Sequence, residues 1–311
     1  MFSRPKLGLV LSGGAARGLS HIGVLEILER ERIRPSFIAG ASIGAIIGAL
    51  YSLDPDIKNL YKKALEFTSD PALRDLGLQV FEKKEEGSLL RRIQNYFNDK
   101  IIFAEFLVKQ SVIGEEKALL PFSKIFQAKT FADLKIPFAC VALDLISGRE
   151  VILKEGKLKE AIYASSAMPG IFPPFSKDDM LLVDGGVTSN APIEVVERMG
   201  AQVVLVSVPK GGDGPPGSLE KAFQVLLRCN QLVSKKLQDI LLERADYVIH
   251  PQLPDLHWAN FRKLDYCIKR GREAVLKNLP QIKRITSRSY WFKKRCLSLL
   301  ISRFGEIRIL R

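Results

Sequence analysis

Histidine and cysteine are both scarce, with three of one and four of the other in 311 residues. The cysteines (Cys140, Cys229, Cys267, Cys296) show neither CxxC nor Cys/His spacing, which excludes zinc-finger chemistry, a thioredoxin-type motif and a disulfide framework. Cys140 and Cys229 sit in apolar stretches, so buried free thiols in a reducing cytoplasm are expected. No residue cluster calls for a metal, and no cofactor is expected. No apolar run reaches the roughly 20 residues of a membrane span, and the apolar run of MFSRPKLGLVLSGG, about six residues, is shorter than the roughly 7–15 of a signal-peptide core. No GK[ST] follows the early glycine loop, and no acid closes the second predicted strand, so both the Walker A and the dinucleotide fingerprints fail.

What is abundant is apolar surface and positive charge. At 47% hydrophobic the chain can bury a substantial core, which excludes a disordered protein. The net charge is +13, a balance that suits anionic partners such as phospholipid surfaces or nucleic acid. Residues 281–311 hold nine Lys and Arg against the single acid Glu306, so most of the excess lies in this tail. Tyr290, Trp291 and Phe292 accompany the charge, a composition suited to an anionic membrane interface. The consecutive Lys293, Lys294 and Arg295 sweep around a helix, however, so a basic helix docked on the domain is the alternative. No nucleic-acid recognition motif is present and no nucleic-acid partner is expected.

Short apolar runs at 6–11, 36–40, 136–143, 149–153, 180–183, 202–208 and 246–250 read as buried strands. Helical patterns fall at 17–32, 43–53, 157–166, 192–199, 218–243 and 259–278. This alternation predicts an α/β fold, a mainly parallel central sheet covered by helices on both faces. The charged helical stretch at about 54–130 reads as a cap or insertion, and PKGGDGPPG (209–217) as a loop. The expected organisation is a domain over 1–280 followed by the tail 281–311.

Three segments can carry chemistry. Gly40-Ala41-Ser42-Ile43-Gly44 matches G-x-S-x-G between a predicted strand and a predicted helix, the setting of a nucleophile elbow. The same residues also fit a small-residue helix face with Ser42 as N-cap. Ser12 to Gly18 follows a strand and precedes a helix, so the N–H groups of Gly13, Gly14 and Ala15 can face an anion. Asp184-Gly185-Gly186 follows the strand MLLV, either as an Asp-Gly turn or as a carboxylate at the sheet end where parallel-sheet sites gather.

Together these segments resemble the patatin-like phospholipases. The family's GGGxRG loop corresponds to Gly13-Gly14-Ala15-Ala16-Arg17-Gly18, its GxSxG to Gly40–Gly44, and its DG[AG] to Asp184-Gly185-Gly186, with Asn190 and Pro192 downstream. Segments between Ala142 and Phe175 also look like the family, so the resemblance covers roughly 6–208. Ala15 departs from the third loop glycine; it keeps its N–H, and the departure matters only where that position needs positive φ.

The resemblance implies a patatin-like three-layer α/β/α fold and a Ser–Asp dyad. Ser42 is then the nucleophile, Asp184 the group that orients and deprotonates it, and Gly13, Gly14 and Ala15 the oxyanion hole. Arg17, Gly18, Gly40, Gly44, Gly185 and Gly186 support them. The implied substrates are acyl esters of phospholipids, lysophospholipids or acylglycerols, cleaved without calcium in the cytoplasm or at the inner face of the membrane. Two alternatives stay open: a Ser-His-Asp triad completed by His250 or His257, following the Ser…Asp…His order, and a lipid-binding regulatory protein of the same fold. His21, in the first helix, reads as a structural hydrogen-bonder.

Overall fold

In a computed structural model, the structure describes residues 4–71, 111, 114–211 and 222–304. The apolar runs form one eight-stranded sheet. Its strands are β1 (Leu7–Leu11), β2 (Phe37–Gly40), β3 (Phe138–Asp144), β4 (Glu150–Leu153), β5 (Phe175–Lys177), β6 (Met180–Asp184), β7 (Val203–Ser207) and β8 (Tyr247–Ile249). They run in the order β5-β6-β3-β2-β1-β7-β8, with β4 also paired to β3. The pairs β3–β2, β2–β1, β1–β7 and β7–β8 are parallel. Those of β3 with β4 and β6, and of β5 with β6, are antiparallel.

The helices among the described residues are α1 (Ser20–Arg30), α2 (Ile43–Leu53), α3 (Ile57–Ser69), α4 (Glu115–Phe126), α5 (Leu158–Ser166), α6 (Ile193–Arg198), α7 (Ala222–Leu242), α8 (Leu264–Ile285) and α9 (Arg288–Phe304). Because strand side chains alternate faces, Leu7, Leu9 and Leu11 enter one core with α1–α5 and α8, whereas Val10 enters a second with α6. Helices thus cover both faces of a mainly parallel sheet, as the strand–helix alternation predicts.

Several boundaries differ from expectation. The helix predicted from Arg17 begins as a 3-10 turn, Ala15–Leu19, before α1. The three-residue β5 is too short to show any period. Cys229 is exposed on α7, while Cys140 and Cys267 are the buried thiols. Much of the stretch at 54–130, and nearly all of the 209–217 loop past Gly211, lie outside the described residues. The described flanks of the former, α3 and α4, contribute Leu60, Phe67, Phe122 and Phe126 to the main core.

The expected boundary at 280 falls inside α8, which runs through Pro280. A proline lacks its own N–H and frees the carbonyl four residues back, here that of Leu276, a residue 45% exposed. Ile282 and Ile285 are buried in the main core. Beyond them, Tyr290 Oη donates to Asp246 Oδ1 at 2.9 Å and Lys294 Nζ bonds Asp246 Oδ2 at 2.7 Å. The first turns of the tail are therefore docked on the domain.

Candidate active site

The three motif segments meet because the sheet sets their levels. Leu11 pairs with Gly40, and Gly40 with Cys140, across parallel strands. Two residues past each lie Gly13, Ser42 and Ala142, and Ala142 pairs with Asp184. The carboxylate reaches this level by an unexpected route. β6 runs antiparallel to β3, so Asp184 is not at the carboxyl end of a parallel strand. It is placed there by register, β6 entering beyond the end of β3 and descending to Ala142.

Ser42 lies between β2 and α2 with φ 53° and ψ −126°, a conformation that costs a side-chain-bearing residue on the order of 1–3 kcal/mol. Close packing enforces it. A Cβ on Gly44 would lie 2.0 Å from the Leu11 carbonyl oxygen, and one on Gly40 would lie 2.5 Å from Gly44 backbone. The two glycines thus let the β2–α2 turn press onto the end of β1. Ser42 N–H donates to Ser165 O at 3.0 Å, and Ser42 O accepts from Ala45 and Ile46. The side chain caps no helix N–H; its hydroxyl instead favours the ionised form of the Asp184 carboxylate. Ser42 is partly exposed within an otherwise buried stretch from Ile38 to Ser52.

Asp184 is buried, and its Oδ1 accepts from Gly186 N–H at 2.7 Å. Its own N–H donates to Ala167 O at 2.9 Å. Burial pushes its pKa up to about 6, opposed by the Ser42 hydroxyl and the Gly186 hydrogen bond. Gly185 fits flush against β3, where a Cβ would lie 2.4 Å from Val141 O. A buried carboxylate with this pKa is a stronger base than an exposed aspartate, and it is ionised at neutral pH.

The glycine loop presents fewer amides than its sequence suggests. Gly13 N–H donates to Asn190 O at 3.1 Å and is occupied within the fold. The N–H groups of Gly14 and Ala15 meet no acceptor among the described residues. Nor does that of Ile43 at the start of α2, a donor the reading of the glycine loop missed, although the residue after a nucleophile is a regular source of such an amide. Ala15 has φ 48°, so its position does favour glycine, and the methyl group is carried at a cost of about 1 kcal/mol. A Cβ on Gly13 would stand 2.3 Å from Asn190 Oδ1 and 3.3 Å from Ser42 Cβ. Asn190 Oδ1 would also lie 3.0 Å from a Cβ on Gly186, so Asn190 wedges between the glycine loop and the turn after Asp184.

Gly18 lets the 3-10 turn close on Ile43, and Arg17 lies half-buried in the same turn. His21, fully buried, donates from Nε2 to Ser12 O at 2.8 Å and accepts from Ser207 Oγ at Nδ1, 2.9 Å. Burial lowers its pKa to about 4, so it is a neutral strut beneath the loop. His250 Nδ1 bonds Val208 O at 3.1 Å, and His257 Nδ1 accepts from Ala259 N–H. Asp184 accepts from Gly186 N–H, and its ionised form is favoured by Ser42 and by no histidine. β8, which ends beside His250, is three strands from β2, about 14 Å at normal strand spacing. Among the described residues no group of His, Cys, Asp and Glu could hold a metal ion.

A family model described as patatin-like phospholipase matches residues 9–196. An uncharacterised NTE family protein of Mycobacterium tuberculosis is 28% identical over 295 residues, covering 86% of this chain and 46% of that protein. The lysophospholipase NTE1 of Scheffersomyces stipitis is 29% identical over 234 residues, covering 73% of this chain and 13% of that protein. The chain thus spans less than half the length of either relative. VipD from Legionella pneumophila aligns with TM-score 0.50 at 14% identity, covering 89% of this chain and 67% of that one, a likeness of fold.

Proposed function

The chain belongs to the patatin-like phospholipase family, and from that premise we propose that it is a serine lipid acyl hydrolase working through a Ser42–Asp184 dyad. The observation that carries this reading is a strained, partly exposed Ser42 set at the level of a buried carboxylate whose ionised form it favours. Asp184 takes the hydroxyl proton as Ser42 Oγ attacks the ester carbonyl, forming a tetrahedral oxyanion. Its collapse expels the alcohol, which recovers the proton, and leaves an acyl group on Ser42. Water, deprotonated by Asp184, then releases the fatty acid. The amides of Gly14 and Ala15 and that of Ile43 are the available donors for the oxyanion, each worth about 3–4 kcal/mol if aimed at it. Gly13 supports the loop through its bond to Asn190.

The substrates favoured are fatty acyl esters of glycerophospholipids, lysophospholipids or acylglycerols; the Scheffersomyces stipitis relative is named a lysophospholipase. A triad is disfavoured because Ser42 and Gly186, and no histidine, act on the Asp184 carboxylate, and His250 stands three strands away. The reading is tested by hydrolysis of p-nitrophenyl esters of increasing chain length, then of a lipid panel. Wild-type protein should release acid and Ser42→Ala should not. Equal turnover by the two would refute the assignment.

A further inference from the structure

α7 carries an exposed apolar stripe that the proposed chemistry does not use. Leu226 (68% exposed), Val233 (57%) and Ile240 (56%) stand at helical spacing, flanked by Val225, Leu232 and Leu237, all more than a third exposed. At 100° per residue these six fall within about 140° of the helix circumference, along about 22 Å of its length. The opposite face seats the helix: Ser234 Oγ donates to Val187 O at 3.0 Å. Val187 closes the 3-10 turn that begins just after Asp184, so the seated face of α7 adjoins the site and the stripe faces away from it. Leu145 and Ile146, 49% and 70% exposed, form the β3–β4 turn just beyond the level of Ser42 on the same strand end.

We propose that this face of α7 seats the protein on an anionic phospholipid surface. The proposal rests on the reading of the chain as a lipid acyl hydrolase, whose substrate must leave such a surface to reach Ser42. Charge selects the occupant. α7 carries Arg228, Lys235 and Lys236 against Asp239, on a chain of net charge +13. Lys236 lies within the stripe, one turn from Leu232 and Ile240. Against a second copy of the helix its ammonium group would be drawn into an apolar seam and desolvated. At a membrane, the same side chain lays its methylenes along the acyl boundary and lifts its amine to the phosphates. α9 is the weaker candidate, since Lys294 is paired with Asp246 and Tyr290 is tied to the same carboxylate.

The test is flotation of the full chain with vesicles of phosphatidylcholine alone or mixed with phosphatidylglycerol, alongside size-exclusion chromatography and hydrolysis of soluble p-nitrophenyl butyrate. Wild-type protein should float with the anionic vesicles at low salt. Leu226→Ser/Val233→Ser/Ile240→Ser should weaken this by more than about tenfold while keeping hydrolysis of the soluble ester. Lys236→Glu, a change at an exposed position, should weaken binding to anionic vesicles and not the residual binding to neutral ones. Unchanged flotation of the triple variant overturns the proposal. So does a wild-type dimer that the triple variant dissociates without loss of flotation, which would assign the stripe to a second copy. If the wild type hydrolyses no ester, the hydrolase reading fails, and flotation still decides the surface.

Discussion

Ser42 stands on the parallel half of the sheet and Asp184 on the antiparallel half, and different physics holds each. The serine is held by exclusion of volume: glycines at 40 and 44 bring backbone within contact of backbone, and a strained φ follows. The carboxylate is held by burial, by the hydrogen bond from Gly186 N–H and by its own N–H on Ala167 O. The first half should therefore be intolerant of added atoms. The second should tolerate changes of shape poorly matched by charge, and should respond to pH.

The largest effect should come from Ser42→Ala, which removes the nucleophile without adding volume. Activity on p-nitrophenyl esters is expected to fall by about 10⁴-fold or more with the thermal transition little changed. Asp184→Asn keeps the shape and should cost on the order of 10³-fold or more in kcat. Gly44→Ala should act on the fold instead, because its methyl group meets the Leu11 carbonyl. A destabilisation of more than about 3 kcal/mol in denaturant titration is expected.

A subtler contrast is in pH. With its pKa raised to about 6, Asp184 is the active base only above that pH. kcat/KM should thus rise with pH through a midpoint near 6 instead of near 4. The sign for stability is opposite. The folded state holds a proton that the unfolded state has released, so Asp184 favours folding at low pH and that contribution is lost as pH rises from about 4 to 6. Asp184→Asn should abolish both dependences. The smallest effects should come from His250→Ala and His257→Ala, each expected to lower kcat less than about threefold. A loss equal to that of Ser42→Ala would reinstate the triad.

The parallel half was largely legible in the sequence. Its buried strands are continuous apolar runs, and the helix at 43–53 has the bounds its pattern predicts, because both are set by local burial. The glycine motif likewise carries its own steric reason. The direction of β6 was not legible, since an apolar run such as MLLV reads the same either way and only pairing with β3 fixes it. Nor was the loss of the Gly13 amide to Asn190, a contact between residues far apart in the chain. Cys229 misled because its apolar neighbours face outward on α7. The boundary expected at 280 was not legible as a helix interior, since α8 runs through Pro280 to Ile285, whose burial only the folded core shows.

The most direct measurement is the site and rate of labelling by a fluorophosphonate, located by peptide mass mapping. A single adduct on the peptide holding Ser42 is expected, absent from Ser42→Ala, slowed by at least about 10²-fold in Asp184→Asn, and rising with pH through about 6 in the wild type. An adduct on another residue, or labelling of Asp184→Asn at the wild-type rate, would contradict the coupling of the two half-sheets through this pair.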